Sequence, residues 1–151
     1  MEFHIYTDGA CKGNPGSGGY AYNIYDEFDK ILVQSNGSER QTTNNRMELT
    51  AAIEALRFID SKYKSIIYPH TIIIYSDSAY LVNCFNEKWI DKWMENGWKT
   101  YDKKEVLNKE LWEILYQIVK KTGTTFQKVS RKDPKIKEVD KEAKSSSKKL
   151  S

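Results

Sequence analysis

The N-terminal part of the chain alternates apolar and polar positions in the manner of β-strands. Phe3 to Thr7 is rich in β-branched and aromatic residues, and the pair Asp8-Gly9 is expected to end this strand. Residues 18–25 and 30–35 have a similar composition and are joined by the polar turn 26–29. Short connections of this kind predict an antiparallel meander of three strands.

The pattern then changes to alternating helices and strands. From Arg46 to Ile59, apolar residues recur every three or four positions, which predicts an amphipathic helix. Residues 71–75 form a short apolar run that is typical of a strand covered on both faces. Helices are predicted at 78–85 and 104–121 and a last strand at 124–129, followed by a Lys-rich helix or a frayed end. The sequence therefore predicts an α/β fold with a five-stranded mixed sheet, three antiparallel strands plus two parallel ones, flanked by helices.

Length and composition are those of a soluble single-domain protein. The 151 residues suit one domain over 1–151, with a basic tail from about residue 141 that is open to fraying. No apolar run approaches the roughly 18 residues of a membrane span, and the N-terminus shows no secretory signal. The only cysteines, Cys11 and Cys84, lack metal-ligand spacing. This fits a reducing compartment, and we expect a cytoplasmic monomer that does not bind membranes.

The charge is distributed unevenly along the chain. Residues 127–151 contain nine Lys or Arg against four Asp or Glu, although the whole chain carries only +3. A basic segment suits a polyanionic partner, because each neutralised phosphate releases counterions. On charge alone, a solvated tail that aids solubility is the simpler interpretation.

Four acidic residues stand where predicted strands end or helices begin: Asp8, Glu48, Asp77 and Asp140. Each has an ordinary structural explanation. Asp8-Gly9 is a common turn pair, and Asn45-x-x-Glu48 fits a helix capping box. Asp77 can cap the next helix, and Asp140 can belong to a solvated helix face.

Together, these acidic residues indicate a metal site. The ends of adjacent central strands form the crevice in which ligands collect, so Asp8 and Asp77 would lie side by side there, with Glu48 above them. Such a cluster repels itself unless cations are present, and oxygen ligands without His or Cys select Mg²⁺ or Mn²⁺. Two such ions would suit phosphodiester hydrolysis, activating a water and stabilising the leaving oxygen.

Several segments resemble the motifs of type 1 ribonuclease H, a family with the ribonuclease H-like fold. The resemblance runs from about Phe3 to Val129, and the matching segments are 7–16 (TDGACKGNPG), 42–49 (TTNNRMEL), 76–78 (SDS), 89–93, 97–100 and 111–112. It implies an endoribonuclease that cuts the RNA strand of RNA–DNA hybrids with two Mg²⁺ ions, for which Mn²⁺ substitutes. The products would carry 3′-hydroxyl and 5′-phosphate ends.

The resemblance also implies roles for individual residues. Asp8, Glu48 and Asp77 become catalytic metal ligands, and Asp140 takes the place of the fourth. Short amides beside the site can hydrogen-bond base edges and the ribose 2′-hydroxyl, although turns and caps also favour Asn. The expected hybrid contacts in this region are Cys11, Asn14, Thr43, Asn44 and Asn45.

A second set of expected substrate contacts lies in the segment that resembles the family's protrusion, residues 86–110. Trp89 and Trp98 are expected to pack against deoxyribose rings, while Lys99 meets DNA phosphates. Trp93 and Trp112 are expected to form a small local core instead. The segment contains six Lys and six acidic residues. It is therefore neutral where the family is often basic, and the basic C-terminal segment would compensate.

The chain departs from the family pattern after the last predicted strand. The family usually carries Lys-Gly-His-x-Gly there, whereas residues 130–134 of this chain are Ser-Arg-Lys-Asp-Pro. The two histidines of the chain, His4 and His70, lie elsewhere and are expected to be structural. This leaves open a hybrid-binding module with weak or lost catalysis, although a pure binder has no need of a repulsive carboxylate cluster. A related nuclease or strand-transfer enzyme acting on DNA is a further alternative, against which the Asn residues argue.

Overall fold

Five strands form one mixed sheet in the computed structural model, which describes residues 1–63, 70–100 and 102–150. The strands are β1 (Glu2–Lys12), β2 (Gly16–Tyr25), β3 (Ile31–Thr42), β4 (Thr71–Ser76) and β5 (Thr125–Lys128). Their order across the sheet is β3-β2-β1-β4-β5. The pairs among β1, β2 and β3 are antiparallel, and β4 pairs in parallel with both β1 and β5. The predicted fold class is confirmed.

The helices are α1 (Asn44–Lys62), α2 (Ala79–Asn86), α3 (Trp89–Glu95), α4 (Lys109–Thr122) and α5 (Pro134–Ser147), followed by a 3₁₀ turn at Lys148–Leu150. The sequence pattern does not predict α3, which has only seven residues. It also starts α4 five residues too early, at 104. Asn108 has a left-handed backbone (φ 63°), so the helix begins only after it, and Leu107 is 79% exposed instead of lying on an apolar helix face. Among the described residues, no helix combines the length and the apolar composition that crossing a membrane requires.

The prediction that Asp8-Gly9 ends the first strand is wrong. β1 continues to Lys12, whose partner in β2 is Ser17. Gly9 does not form a turn but allows the backbone of α1 to approach β1 closely. A Cβ added to Gly9 would lie 2.5 Å from the backbone nitrogen of Glu48 and 2.6 Å from the carbonyl carbon of Met47. The start of α1 therefore packs directly on the bare backbone of β1.

The two faces of the sheet bury cores of different size. The larger core lies against α1, α2 and α4 and includes Phe3 and Ile5 of β1. A smaller cluster lies under α5 and joins Ala21 to Ile136, Val139 and Ala143. The C-terminal stretch, for which the sequence left helix or frayed end open, is helical as far as Ser147.

We expect Gly9→Ala to lower the free energy of unfolding by about 1–3 kcal/mol, because the new methyl group overlaps backbone atoms of α1 that cannot turn away. Urea denaturation measures the loss. Gly37→Ala is the matched control, since the three atoms nearest to its Cβ would belong to the ring end of Tyr20, a side chain that can move. Equal losses in the two variants would contradict the close-packing role of Gly9.

Candidate active site

Three carboxylates converge at one edge of the central strands. Asp8 lies in β1, Asp77 directly follows β4, and these strands are parallel neighbours with Tyr6 paired to Tyr75. Two residues further along each strand, Asp8 and Asp77 therefore stand side by side. One carboxylate oxygen from each of Asp8, Glu48 and Asp77 lies within 4.8 Å of the other two. The predicted juxtaposition of the three side chains is confirmed.

The ordinary structural explanations for these acids do not apply. The cap of α1 is Thr43, whose hydroxyl accepts a hydrogen bond from the Arg46 backbone nitrogen, so the capping box of Asn45 and Glu48 is absent. The cap of α2 is Ser78, whose hydroxyl accepts from the Leu81 nitrogen. Neither Glu48 nor Asp77 is therefore needed to cap a helix.

Burial makes the cluster electrostatically unfavourable for the protein alone. Asp8 and Glu48 are only 4% and 8% exposed. Burial, a hydrogen bond with Asp140 and the charge of Asp77 raise the pKa of Asp8 to about 7. Burial and the neighbouring Asp8 raise the pKa of Glu48 well above its usual range. Within the described part of the chain, Glu48 Oε2 is buried without a hydrogen-bond partner. An all-carboxylate donor set with an orphaned oxygen fits a hard divalent cation.

Asp140 approaches the cluster from α5 but is not one of the three converging groups. It hydrogen-bonds with Asp8, and Lys144 Nζ lies 2.9 Å from Asp140 Oδ2, one helical turn away. Burial alone would raise the pKa of Asp140, but the hydrogen bond and the charge of Lys144 outweigh it and lower the pKa. The assignment of Asp140 as the fourth metal ligand stays a prediction.

A groove of about 700 Å³ lies over the carboxylates, and its lining contains lysines that the sequence did not place beside the acids. Its lining includes all four acids together with Lys12, Arg131, Lys144 and Lys148. Arg131 Nε lies 4.0 Å from Asp77 Oδ2. Residues 140, 144 and 148 follow one another at intervals of four, and this helical spacing is the signal that could have found the lysines.

Some short polar side chains near the groove hydrogen-bond within the protein, and others do not. Asn14 Oδ1 accepts a hydrogen bond from the Asn44 backbone nitrogen at 3.1 Å, so it ties the β1–β2 loop to α1. Cys11 lines the groove and donates its thiol hydrogen to the Thr42 carbonyl. Asn44 and Asn45 are exposed and line the groove, and neither side chain has a hydrogen-bond partner among the described residues. Their amides are therefore available to a ligand.

The aromatic residues of the protrusion segment form a group outside this groove. Trp112 is fully buried and contacts Trp93 edge-on, with ring centroids 5.8 Å apart, which confirms the predicted local core. Trp89 is 37% exposed, and the Lys109 ammonium lies over the Trp98 ring. Their contact with a hybrid stays a prediction.

The lysine expected to meet phosphates in this segment is already paired, since Lys99 Nζ lies 3.7 Å from Glu105. The role of Lys99 in hybrid binding stays a prediction.

Both histidines make contacts of a structural kind away from the groove. His4 Nδ1 hydrogen-bonds the Tyr75 hydroxyl at 2.8 Å. His70 packs edge-on against Phe3. Neither belongs to the groove lining. The connection from β5 to α5 instead places Arg131 beside the acids.

This fold and acidic cluster belong to a chain that matches one class of protein. The sequence model of the RNase H family matches residues 1–148. Ribonuclease H of Acetivibrio thermocellus is 53% identical over 112 residues, 74% of this chain and 69% of that protein. Ribonuclease H of Caldicellulosiruptor saccharolyticus is 47% identical over 129 residues, 85% of this chain and 82% of that protein. The chain belongs to the ribonuclease H family.

Solved structures agree with this assignment. An RNase H1 crystallised in complex with RNA/DNA hybrid superimposes with a TM-score of 0.76 at 26% identity, covering 97% of both chains. A type 1 RNase H with the type 2 active-site motif gives a TM-score of 0.82 at 25% identity, covering 99% of this chain and 74% of that one.

Replacing Asp8 by Asn is expected to stabilise the metal-free protein. Because the pKa of Asp8 is raised on folding, wild-type stability falls as the pH rises from 3.8 towards about 7, and the loss is complete above that. In EDTA at about pH 8, the variant should unfold with a free energy on the order of 1–3 kcal/mol higher than the wild type. It should also gain less stability than the wild type when Mg²⁺ is added.

Thermal denaturation in EDTA and in Mg²⁺ measures both effects. Glu95→Gln is the control, because Glu95 is exposed and lies outside the cluster. Identical pH profiles for the wild type and Asp8→Asn in EDTA would contradict the electrostatic cost of the cluster.

Proposed function

We propose that this chain is an endoribonuclease that hydrolyses the RNA strand of RNA–DNA hybrids and leaves 3′-hydroxyl and 5′-phosphate ends. The observation that carries the proposal is the convergence of Asp77 with the buried Asp8 and Glu48 in the lining of one groove. Membership of the ribonuclease H family supports it. A related RNase H1 was crystallised with an RNA/DNA hybrid, which supports the substrate.

The cofactor that we propose is Mg²⁺, as two ions, with Mn²⁺ as a substitute. Asp8, Glu48 and Asp77 would hold the ions, with Asp140 as the fourth ligand. Bound divalent cations supply an activated water and neutralise the charge that develops on the phosphate. The orphaned oxygen of Glu48 and the raised pKa of Asp8 are what a site built for cations would show without them.

The remaining groups of the site have binding and orienting roles in this proposal. Arg131 and Lys144, next to Asp77 and Asp140, attract the phosphate that lies over the carboxylates. Asn44 and Asn45 present free amides to the groove and can hydrogen-bond the ribose 2′-hydroxyl, the group that separates RNA from DNA.

The other expected substrate contacts remain part of the proposal. Cys11 lies in the groove, while Asn14 and Thr43 hold the neighbouring loop and helix start in place. In the protrusion segment, the exposed edges of Trp89 and Trp98 would meet deoxyribose, with Lys99 beside them. We propose a single domain that acts as a cytoplasmic monomer.

A second candidate is a hybrid-binding module with weak or lost catalysis. The observation in its favour is that the groove lining includes Arg131 but no histidine among the described residues. Arg is a poor proton shuttle near neutral pH, so acid–base assistance would be reduced. The cost of burying Asp8 and Glu48 together favours the enzyme, since binding alone does not require it.

Incubation of labelled RNA–DNA, RNA–RNA and DNA–DNA duplexes with Mg²⁺, Mn²⁺ or EDTA tests the function. We expect cleavage of the RNA strand of the hybrid only, dependent on metal. Asp8→Asn should abolish cleavage but still bind the hybrid, because its charge serves the chemistry more than docking. Binding without cleavage by the wild type would establish the second candidate, and wild-type turnover by Asp8→Asn would overturn the metal-ligand assignment.

Asn45→Ala is expected to lower kcat/KM for the hybrid by an amount equivalent to roughly 1–3 kcal/mol, because a contact to the RNA strand is lost. Its thermal stability should stay unchanged, since the side chain has no described hydrogen-bond partner. Asn14→Ala is the comparison, and it should lose stability as well because Asn14 accepts from the Asn44 nitrogen. An unchanged kcat/KM for Asn45→Ala would assign Asn45 no part in recognition.

A further inference from the structure

Three lysines line the groove: Lys12, Lys144 and Lys148. Lys12 ends β1 and is paired with Ser17 of β2. The Ser17 hydroxyl donates to the carbonyl of Leu150 at 3.3 Å, which places the 3₁₀ turn after α5 next to the end of β1. The three lysines therefore share one edge of the groove, called the lysine rim below.

The rim is built on a docked helix end and not on a solvated tail. Gly19 of β2 lets α5 approach closely, because a Cβ there would lie 2.2 Å from the Ala143 carbonyl oxygen and 2.5 Å from the Ser147 nitrogen. Ser146 and Ser147 are 1% and 5% exposed. The backbone that carries Lys144 and Lys148 is thus fixed relative to the acidic cluster.

The protrusion segment has no excess of positive charge. Its Lys and acidic residues are equal in number, and several of its cations are engaged. Lys99 lies 3.7 Å from Glu105, and Lys104 lies 4.0 Å from Asp102. A carboxylate beside a lysine reduces the gain from a phosphate contact, and this also holds for Lys144 of the rim, which lies 2.9 Å from Asp140.

We propose that phosphates of the nucleic-acid duplex bind along the lysine rim, and that the rim contributes more to the electrostatic part of hybrid binding than the charge-balanced protrusion segment does. The inference rests on the proposed hybrid substrate. Lys144 lies 2.9 Å from Asp140, so the rim begins at the acidic cluster. A phosphate backbone that passes over the carboxylates meets these cations next.

The salt dependence of hybrid binding tests the proposal. The logarithm of the association constant falls with the logarithm of the salt concentration, and each phosphate contact removed makes this slope shallower by about 0.9. Anisotropy of a labelled RNA–DNA hybrid with the full chain, in EDTA to prevent cleavage, gives this slope between about 50 and 200 mM salt. We expect each of three single variants to make the slope shallower by the equivalent of about one phosphate contact: Lys12→Gln, Lys144→Gln and Lys148→Gln. The triple variant should make it shallower by the equivalent of roughly three contacts. Lys12→Gln separates rim binding from any effect on Asp140, since Lys12 lies on another element.

Two comparison variants remove the same charge elsewhere. Lys137, Lys141 and Lys149 line a different depression, on the side of α5 that faces Asn36, and their triple Gln variant should keep the wild-type slope. The triple Gln variant of Lys99, Lys103 and Lys104 in the protrusion segment should lose less than the rim variant. If either comparison variant lowers the slope as much as the rim variant, the proposal is wrong.

Cleavage of the hybrid by the wild type in Mg²⁺ separates this inference from the proposed function. Cleavage together with an unchanged slope in the rim variant would overturn the rim alone. An absence of cleavage would overturn the function itself.

Discussion

Mutual repulsion among three close carboxylates, of which Asp8 and Glu48 are buried, is the constraint that the rest of the structure must satisfy. Asp8 and Glu48 lie in contact although burial and proximity raise the pKa of both. Glu48 cannot move away from Asp8, because its neighbours in sequence, Met47 and Leu49, are completely buried in the core. The hydrophobic core therefore stabilises an arrangement that is unfavourable at the site itself, and cation binding would recover that cost.

Two glycines allow helices to reach the site from different elements. Without a side chain at Gly9, the start of α1 lies on β1 and holds Glu48 over the strand. Without one at Gly19, α5 lies on β2 and brings Asp140 towards Asp8. Larger residues at either position would move one acid away from the others. The spacing of the carboxylates is thus determined by backbone contact, which varies less than contact through flexible side chains.

The sequence was most informative where a local pattern and a buried element coincide. Alternation and helical periodicity predicted the sheet, α1 and α2, and the family motifs located the acids. The end of β1 was mispredicted because Asp8-Gly9 has the composition of a turn, whereas the glycine serves packing against a helix distant in sequence. The start of α4 was misplaced because Asn108 takes a left-handed backbone that the apolar spacing around Leu107 does not reveal. The basic C-terminal segment was expected to compensate for the neutral protrusion, but its lysines could not be assigned to the groove because α5 was not recognised as docked.

The small net charge conceals a separation of charge within the groove. The buried Asp8 and Glu48 and three exposed lysines line the same groove, so charges of both signs lie close together there. The ion pairs of Lys144 with Asp140 and of Arg131 with Asp77 partly compensate the repulsion of the acids in the metal-free protein. The same cations suit phosphate oxygens, which accept charge-assisted hydrogen bonds from Lys and Arg as carboxylates do.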